Sequence, residues 1–271
     1  MALTTIGLMA LLGCFTGFMA GLLGIGGGMI ITPFLIMLIP SSLIPHEHIG
    51  HVAIATWLAT IAFTSLTSVR AHHKRGAVLW NVVASVAPGI LVGAVVGAQI
   101  AGWLPTFWLS LIFAAFVGFS AFKMFLNKSP RPDRNLPGTI GKFFMGIAIG
   151  ILSALVGAGG GFISVPWIIW YNVNMQNAVA TSAAFGFPIA LFGTIGYIIS
   201  GWNVSGLPPW PIDLGYICIP ALFSVAITSV LFAPLGAKVA HSIDTKPLKK
   251  IFACLLCFVC LYMIRQAYLA M

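Results

Sequence analysis

The sequence predicts an all-α, polytopic transmembrane protein made of two homologous halves. Three observations predict it. Only 6% of the 271 residues are charged and 60% are apolar, against roughly 25% charged in a soluble domain, so a soluble fold of this size could not cover its surface. The apolar residues come in continuous blocks that meet the requirement of roughly 20 helical residues per bilayer crossing. They do not alternate as the strands of a membrane β-barrel do. Finally, one glycine-rich motif occurs twice, once in each half.

The apolar blocks fall at 3–38, 50–69, 77–101, 105–126, 139–171, 177–200, 212–237 and 248–269. The first lacks a basic leading segment and runs straight into glycines, so it is expected to be a membrane segment and not a cleaved signal. Blocks one and five are too long for a single crossing, and each contains a glycine cluster. After block two comes a basic gap, Arg70, Lys74 and Arg75. The stretch 127–138 carries Lys128, Arg131, Asp133, Arg134 and three prolines, and reads as a solvated basic linker on the cytoplasmic side. It divides a first transmembrane repeat, 1–126, from a second, 139–271. Trp202, Trp210 and the neighbouring Pro208, Pro209 and Pro211 form an interfacial anchor and turn before block seven. In the last block Cys254, Cys257 and Cys260 drift around a helix at a spacing of three, which suits packing and not a shared metal.

The two halves align without a gap across Gly24-Ile-Gly26-Gly27-Gly28-Met-Ile-Ile-Thr32-Pro33 and Gly157-Ala-Gly159-Gly160-Gly161-Phe-Ile-Ser164-Val-Pro166. Ala55-Thr56 then matches Ala180-Thr181, and the Gly97-to-Ala101 step matches Gly236 to Ala240. Charge suggests their relative direction. The gap after block two is basic and its counterpart after block six has only Asp213. The gap at 102–106 is uncharged, whereas its counterpart holds Lys238, Lys246, Lys249 and Lys250. Parallel halves would leave one of them violating the positive-inside rule; inverted halves obey it throughout. Inversion needs an odd number of crossings per half, which glycine-broken first and fifth segments supply by entering and leaving on one side. A parallel four-plus-four duplication is the alternative.

The glycines also suggest what the protein does. Each Gly costs a helix about 1 kcal/mol relative to Ala, and the following proline removes a backbone donor. In hydrocarbon, broken backbone is tolerated only inside protein or along a wet cavity. Each segment is therefore expected to unwind and restart as a short helix, near 29–38 and 162–171. Its free N–H groups and positive dipole end suit an anion. Gly26, Gly27 and Gly28 with Thr32, and Gly159, Gly160 and Gly161 with Ser164, are the candidate substrate-binding residues. Thr56, Thr181 and Ser182 add hydroxyl donors. Close helix packing is the competing reading for glycines, as it is for Gly17, Gly21, Gly93 and Gly97. A bond to the carbonyl four residues back is the competing reading for the hydroxyls. Asn81 and Gln99 are secondary candidates.

Other chemistries find little support. Nearly all of the Lys and Arg behind the net charge of +9 sit in the gaps between blocks or at their edges, as interface anchoring requires, so nucleic acid is not an expected partner. The four acids, Glu47, Asp133, Asp213 and Asp244, all fall in gaps or at block edges. A mid-membrane carboxylate relay or cation site is therefore not expected. His46-Glu47-His48 with His51 has metal-ligand chemistry, yet interface histidines or a pH-sensitive loop fit as well, and no metal or cofactor is assigned. No Ser/His/Asp arrangement and no His-Glu-x-x-His helix is present, so no enzymatic activity is expected.

The paired motifs resemble the sulfite exporter TauE/SafE family, also grouped as the 4-toluenesulfonate uptake permeases. The resemblance is carried by Gly21-Leu-Leu-Gly24-Ile-Gly26-Gly27-Gly28 with Pro33 and Val156-Gly157-Ala-Gly159-Gly160-Gly161 with Pro166. It covers nearly the whole chain; the His-rich stretch 46–51 departs from it. The resemblance implies a multi-pass inner-membrane protein, embedded in the lipid bilayer, that carries sulfite, sulfoacetate or related organosulfonates as a secondary transporter. Alternating access would rock one repeat against the other, with proton coupling as a partner process, the proton travelling on the substrate as bisulfite. A passive anion channel and a non-transporting scaffold are the alternatives.

Overall fold

Backbone N–H and C=O groups in an apolar environment must pair within the segment, which makes every long apolar block helical. The computed structural model describes residues 3–23, 28–39, 44–126, 136–208, 212–240 and 245–269. The first half contains α1 (Leu3–Leu23), α2 (Gly28–Leu38), α3 (His46–His73), α4 (Trp80–Trp103) and α5 (Thr106–Leu126). The second contains α6 (Thr139–Val156), α7 (Gly161–Trp170), α8 (Met175–Gly201), α9 (Ile219–Ala240) and α10 (Thr245–Leu269). Five of these, α3, α4, α6, α8 and α9, are long and apolar enough to cross a membrane. Large apolar side chains such as Trp103, Leu231 and Tyr268 stand exposed on the surface, as lipid-facing residues do. The chain is an all-α, polytopic membrane protein.

Helix directions follow from which residues meet. His51 of α3 bonds the carbonyls of Ala101 and Leu104 at the end of α4, while the indole of Trp80 at the start of α4 donates to His73 at the end of α3. α3 and α4 are therefore antiparallel. Gly193 packs at Leu58 and Gly186 at Ser65, so α8 also runs against α3. α4 and α6 run side by side in one direction, Gly89 meeting Phe143 and Gly97 meeting Ile151. α1 and α9 do the same, Gly13 meeting Val225 and Gly17 meeting Ser229. The principal partner of α1 is thus α9, and that of α6 is α4, each in the opposite half.

Block five is broken as expected, while the glycines of block one between α1 and α2 lie outside the described residues. α2 has 11 residues and α7 has 10, about 15–16 Å at 1.5 Å per residue, half of a bilayer core. α1 ends beside the Ile61–Ser68 stretch of α3, and α2 returns the chain toward the opposite end, where α3 begins. Pro33 and Pro166 lie inside these short helices.

Two boundaries differ from the sequence expectation. Helix α3 starts at His46, so the histidines occupy its first turns and not a loop. Block seven does not become helical at 212: a two-stranded antiparallel hairpin, β1 (Asp213–Leu214) with β2 (Ile217–Cys218), precedes α9. Gly215, with φ +60°, is the first of its two turn residues, where a two-residue hairpin loop favours positive φ.

Gly150 in α6 touches the backbone of α4 so closely that an added Cβ would stand 2.6 Å from the Ala94 nitrogen. Gly150→Val is expected to destabilise the protein by about 1–3 kcal/mol through overpacking. Gly138→Ala, where nothing lies within 4 Å, should leave the unfolding midpoint in detergent unchanged.

Candidate functional site

The break in the second half is built by two left-handed glycines. Gly157 (φ +65°) ends α6, and Gly160 (φ +77°) precedes the first residue of α7. The N–H of Ala158 folds back to the Ser153 carbonyl at 3.0 Å, and the Gly160 carbonyl accepts from Ile163 and Ser164. Gly159, Gly160 and Gly161 are buried. In the first half, Gly26 and Gly27 lie outside the described residues, and Gly28 opens α2. Both short helices therefore begin within one residue of where the sequence places them.

The fold brings part of one motif to the other. A Cβ built on Gly157 would lie 3.5 Å from the hydroxyl oxygen of Thr32 and 3.1 Å from Ile54. Thr32 of the first half is thus seated against the break of the second. One built on Gly160 would lie 3.5 Å from the Ser153 hydroxyl oxygen. That hydroxyl is buried and has no hydrogen-bond partner. On the opposite side α3 presents the face of Ile54, Ile61, Ser65 and Ser68. Trp57 falls on the same face by helical spacing, and its buried indole N–H has no hydrogen-bond partner. An unpaired buried donor is costly.

Beside Gly159 is a cavity of about 40 Å³. Gly21, Ile61, Thr64, Ser65, Ser68 and Gly186 contribute to its wall. Three of these are hydroxyl residues from α3, and among the described residues no carboxylate belongs to the lining. Thr64 and Ser65 donate to carbonyls of their own helix, at 3.3 and 3.2 Å. Such hydroxyls keep oxygen lone pairs and can rotate toward a guest. Just beyond Ser68, Arg70, Lys74 and Arg75 are exposed, a positive collar that raises the local concentration of anions.

The other predicted hydroxyls are engaged. Ser164 donates to the Gly160 carbonyl at 2.8 Å and lies 2.6 Å from Ser182. Thr56 and Thr181 do something the sequence does not reveal. The Thr56 hydroxyl accepts the Cys218 N–H at 2.9 Å, just before α9, and the Thr181 hydroxyl accepts the Leu79 N–H at 3.0 Å, just before α4. Each threonine therefore holds the start of a helix from the opposite half. Gln99 donates to the Gly196 carbonyl, tying α4 to α8, and Asn81 is exposed. Among the described residues no three metal-ligating side chains converge; the His51 Nε2 lies 3.0 Å from each of two carbonyls.

Sequence reasoning missed Trp57, Thr64, Ser65, Ser68 and Ser153. The α3 residues were findable, because Thr60, Thr64 and Ser68 repeat every four positions along an otherwise apolar block. Ser153 has no such signal.

Thr56→Val should leave the Cys218 N–H buried without an acceptor and lower stability by about 1–3 kcal/mol. Thr181→Val should cost a similar amount, while Thr56→Ser should largely preserve the unfolding midpoint.

Residues 9–263 match the family model described as sulfite exporter TauE/SafE. A probable membrane transporter protein of Haemophilus influenzae is 34% identical over 261 residues, covering 96% of this chain and 98% of its own. A probable membrane transporter protein of Methanocaldococcus jannaschii is 26% identical over 95% of this chain and 94% of its own. Another, YdhB of Bacillus subtilis, is 28% identical over 69% and 76%. No solved structure matches. The chain is a multi-pass membrane protein of the sulfite exporter TauE/SafE family of membrane transporters.

Proposed function

We propose that this protein is a secondary transporter of small sulfur-containing anions, sulfite, sulfoacetate or a related organosulfonate. One observation carries the reading: a glycine break inside the protein, with Thr32 of the other motif against it and beside it a small cavity whose largely apolar wall includes three hydroxyls and, among the described residues, no carboxylate. Oxygen-rich anions of this kind accept hydrogen bonds and donate few, so a lining of N–H and O–H donors suits them. The site comprises Gly26, Gly27, Gly28 and Thr32, with Gly159, Gly160, Gly161 and Ser164. Ser182 adds a hydroxyl through Ser164, and Thr64, Ser65, Ser68 and Trp57 extend the site along α3. Thr56 and Thr181 belong to it as positioning residues. The family's membership supports membrane transport as the activity class.

In this reading the two repeats, 1–126 and 139–271, are inverted and the basic linker 127–138 lies on the cytoplasmic side. The antiparallel course of α3 and α8, which are counterparts in the repeat, supports this. So does the opposed direction of α1 against α6 and of α4 against α9. Alternating access then opens the central site to one end at a time as the repeats rock.

Liposomes holding the purified protein should take up radiolabelled sulfite saturably, with competition by sulfoacetate. Gly160→Val should abolish uptake while the protein remains inserted, because a side chain at φ +77° is strained and its Cβ would collide with Ile189. Uptake that never saturates would indicate a passive channel, and no uptake of either anion would remove this substrate class. Single cysteines placed at 203–208 and at 242–245 should label from opposite sides of the membrane; labelling of the second loop from outside would refute inversion.

A further inference from the structure

The hairpin before α9 holds a carboxylate that the transport site does not use. Of the acids the structure describes, Glu47 is exposed and Asp213 is buried, at 4% exposure. Neither carboxyl oxygen of Asp213 has a hydrogen-bond partner; the thiol of its cross-strand partner Cys218, a weak donor, approaches it. The hairpin is folded inward against α3, α8 and α9. Its tip residue Tyr216 stacks on His51 with ring centroids 5.0 Å apart, and meets Tyr197 edge-on. The titratable groups around it are Glu47, His48 and His51 from α3, Tyr197 from α8, and Tyr216 and Cys218 of the hairpin itself. The only charged residue of α9, Lys238, lies at that helix's far end. Among the described residues no Lys or Arg is placed to pair with an ionised Asp213.

The matching segment of the first half makes the contrast clear. Gly76 has φ +65° and Leu79 three residues later bonds Thr181; Gly215 has φ +60° and Cys218 three residues later bonds Thr56. Two residues before the glycine, the first half has the exposed Lys74 and the second has the buried Asp213. The same turn carries a solvated cation at one end of the molecule and a desolvated acid at the other.

We propose that Asp213 is the proton-binding site that couples a proton gradient to opening at the end of the protein remote from the basic loops. With the carboxyl neutral, the hairpin seats between α3 and α8 and this end is closed. Release of the proton leaves a carboxylate without donors, and the hairpin lifts until water reaches it. The seat combines one bond from Thr56 to the hairpin backbone with the packing of Tyr216 against His48, His51 and Tyr197, contacts that desolvation of an ionised carboxylate can offset. Burial pushes the Asp213 carboxyl up to about 6, the Cys218 contact offsetting part of the shift. The switch thus titrates within the range of ordinary proton gradients. This proposal rests on the transport reading above, and its tests are chosen to fail separately from it.

In liposomes, wild-type protein should accumulate radiolabelled sulfite about tenfold per pH unit of inward gradient for one coupled proton. Asp213→Asn, a permanent mimic of the neutral acid, should hold this end closed, and so lose most sulfite exchange at equal pH together with the response to the gradient while remaining folded and inserted. A gradient response retained in Asp213→Asn overturns the proposal. Independently of any substrate, alkylation of the buried Cys218, followed by peptide mass, should step up as pH rises through 6 in the wild type. The Asp213→Asn protein should show only the smooth rise of any thiol. Absence of a step in the wild type overturns the proposal even if sulfite proves not to be cargo, and a step with no sulfite uptake removes only the substrate. Stability offers a third check with a defined sign. An acid whose folded pKa is raised binds protons more tightly when folded, so its contribution falls as pH rises from the ordinary 3.8 to about 6 and stays low above that. Asp213→Asn should therefore gain in unfolding midpoint over the wild type between pH 4 and pH 7, and an equal midpoint difference at both values overturns the proposal's premise.

Discussion

Leaving a backbone amide unpaired inside hydrocarbon costs several kcal/mol, and much of this fold is arranged around two places where that would happen. The turns before α4 and α9 pack back against the protein, and the amides of Leu79 and Cys218, just ahead of those helices, need acceptors there. Thr56 and Thr181 supply the acceptors, each from the opposite half. A hydroxyl suits this task, since it accepts the amide and still donates, and is small enough to leave the helices close together. The antiparallel pairing of α3 with α8 follows, because each must carry its threonine to the far partner's helix start.

Onto this paired frame the two halves place unlike chemistry. Trp57 follows Thr56, whereas Ser182 follows Thr181, and the position of Ser153 in α6 is occupied by Ala20 in α1. The hydroxyl stripe that borders the cavity comes from α3, whereas the glycine beside it comes from the second half. The helix starts are held alike in the two halves, while the side chains beside them differ.

Much of the fold was legible because its determinants are local. Gly157 to Gly161 with Pro166 cannot continue a helix, so the break and the restart were readable to within a residue. The apolar blocks likewise marked the long helices. The β1–β2 hairpin was not legible, because Asp213 to Cys218 form it only against α3 and α8, and six residues carry no periodic signal of their own. The roles of Thr56 and Thr181 were hidden for a related reason. Their partners are 162 and 102 residues away, and no pattern along one helix announces a backbone amide on another. The cavity's α3 hydroxyls were present as a stripe at helical spacing, while the isolated Ser153 acquires meaning only beside Gly160.

The exchange of partners between the halves also bears on how the molecule is made. The glycine face of α1 fits α9, whose first residue is synthesised about 200 residues later. At roughly 5–20 residues per second, the first helix spends on the order of ten seconds or more in the membrane before its mate exists. During that interval Gly13 and Gly17 offer a bare strip of backbone to whatever helix drifts past. The second hairpin has no such wait, since α4 is already in place when α6 emerges. Birth order thus gives two similar hairpins dissimilar histories, and the older one is the part of the nascent chain most in need of a guardian.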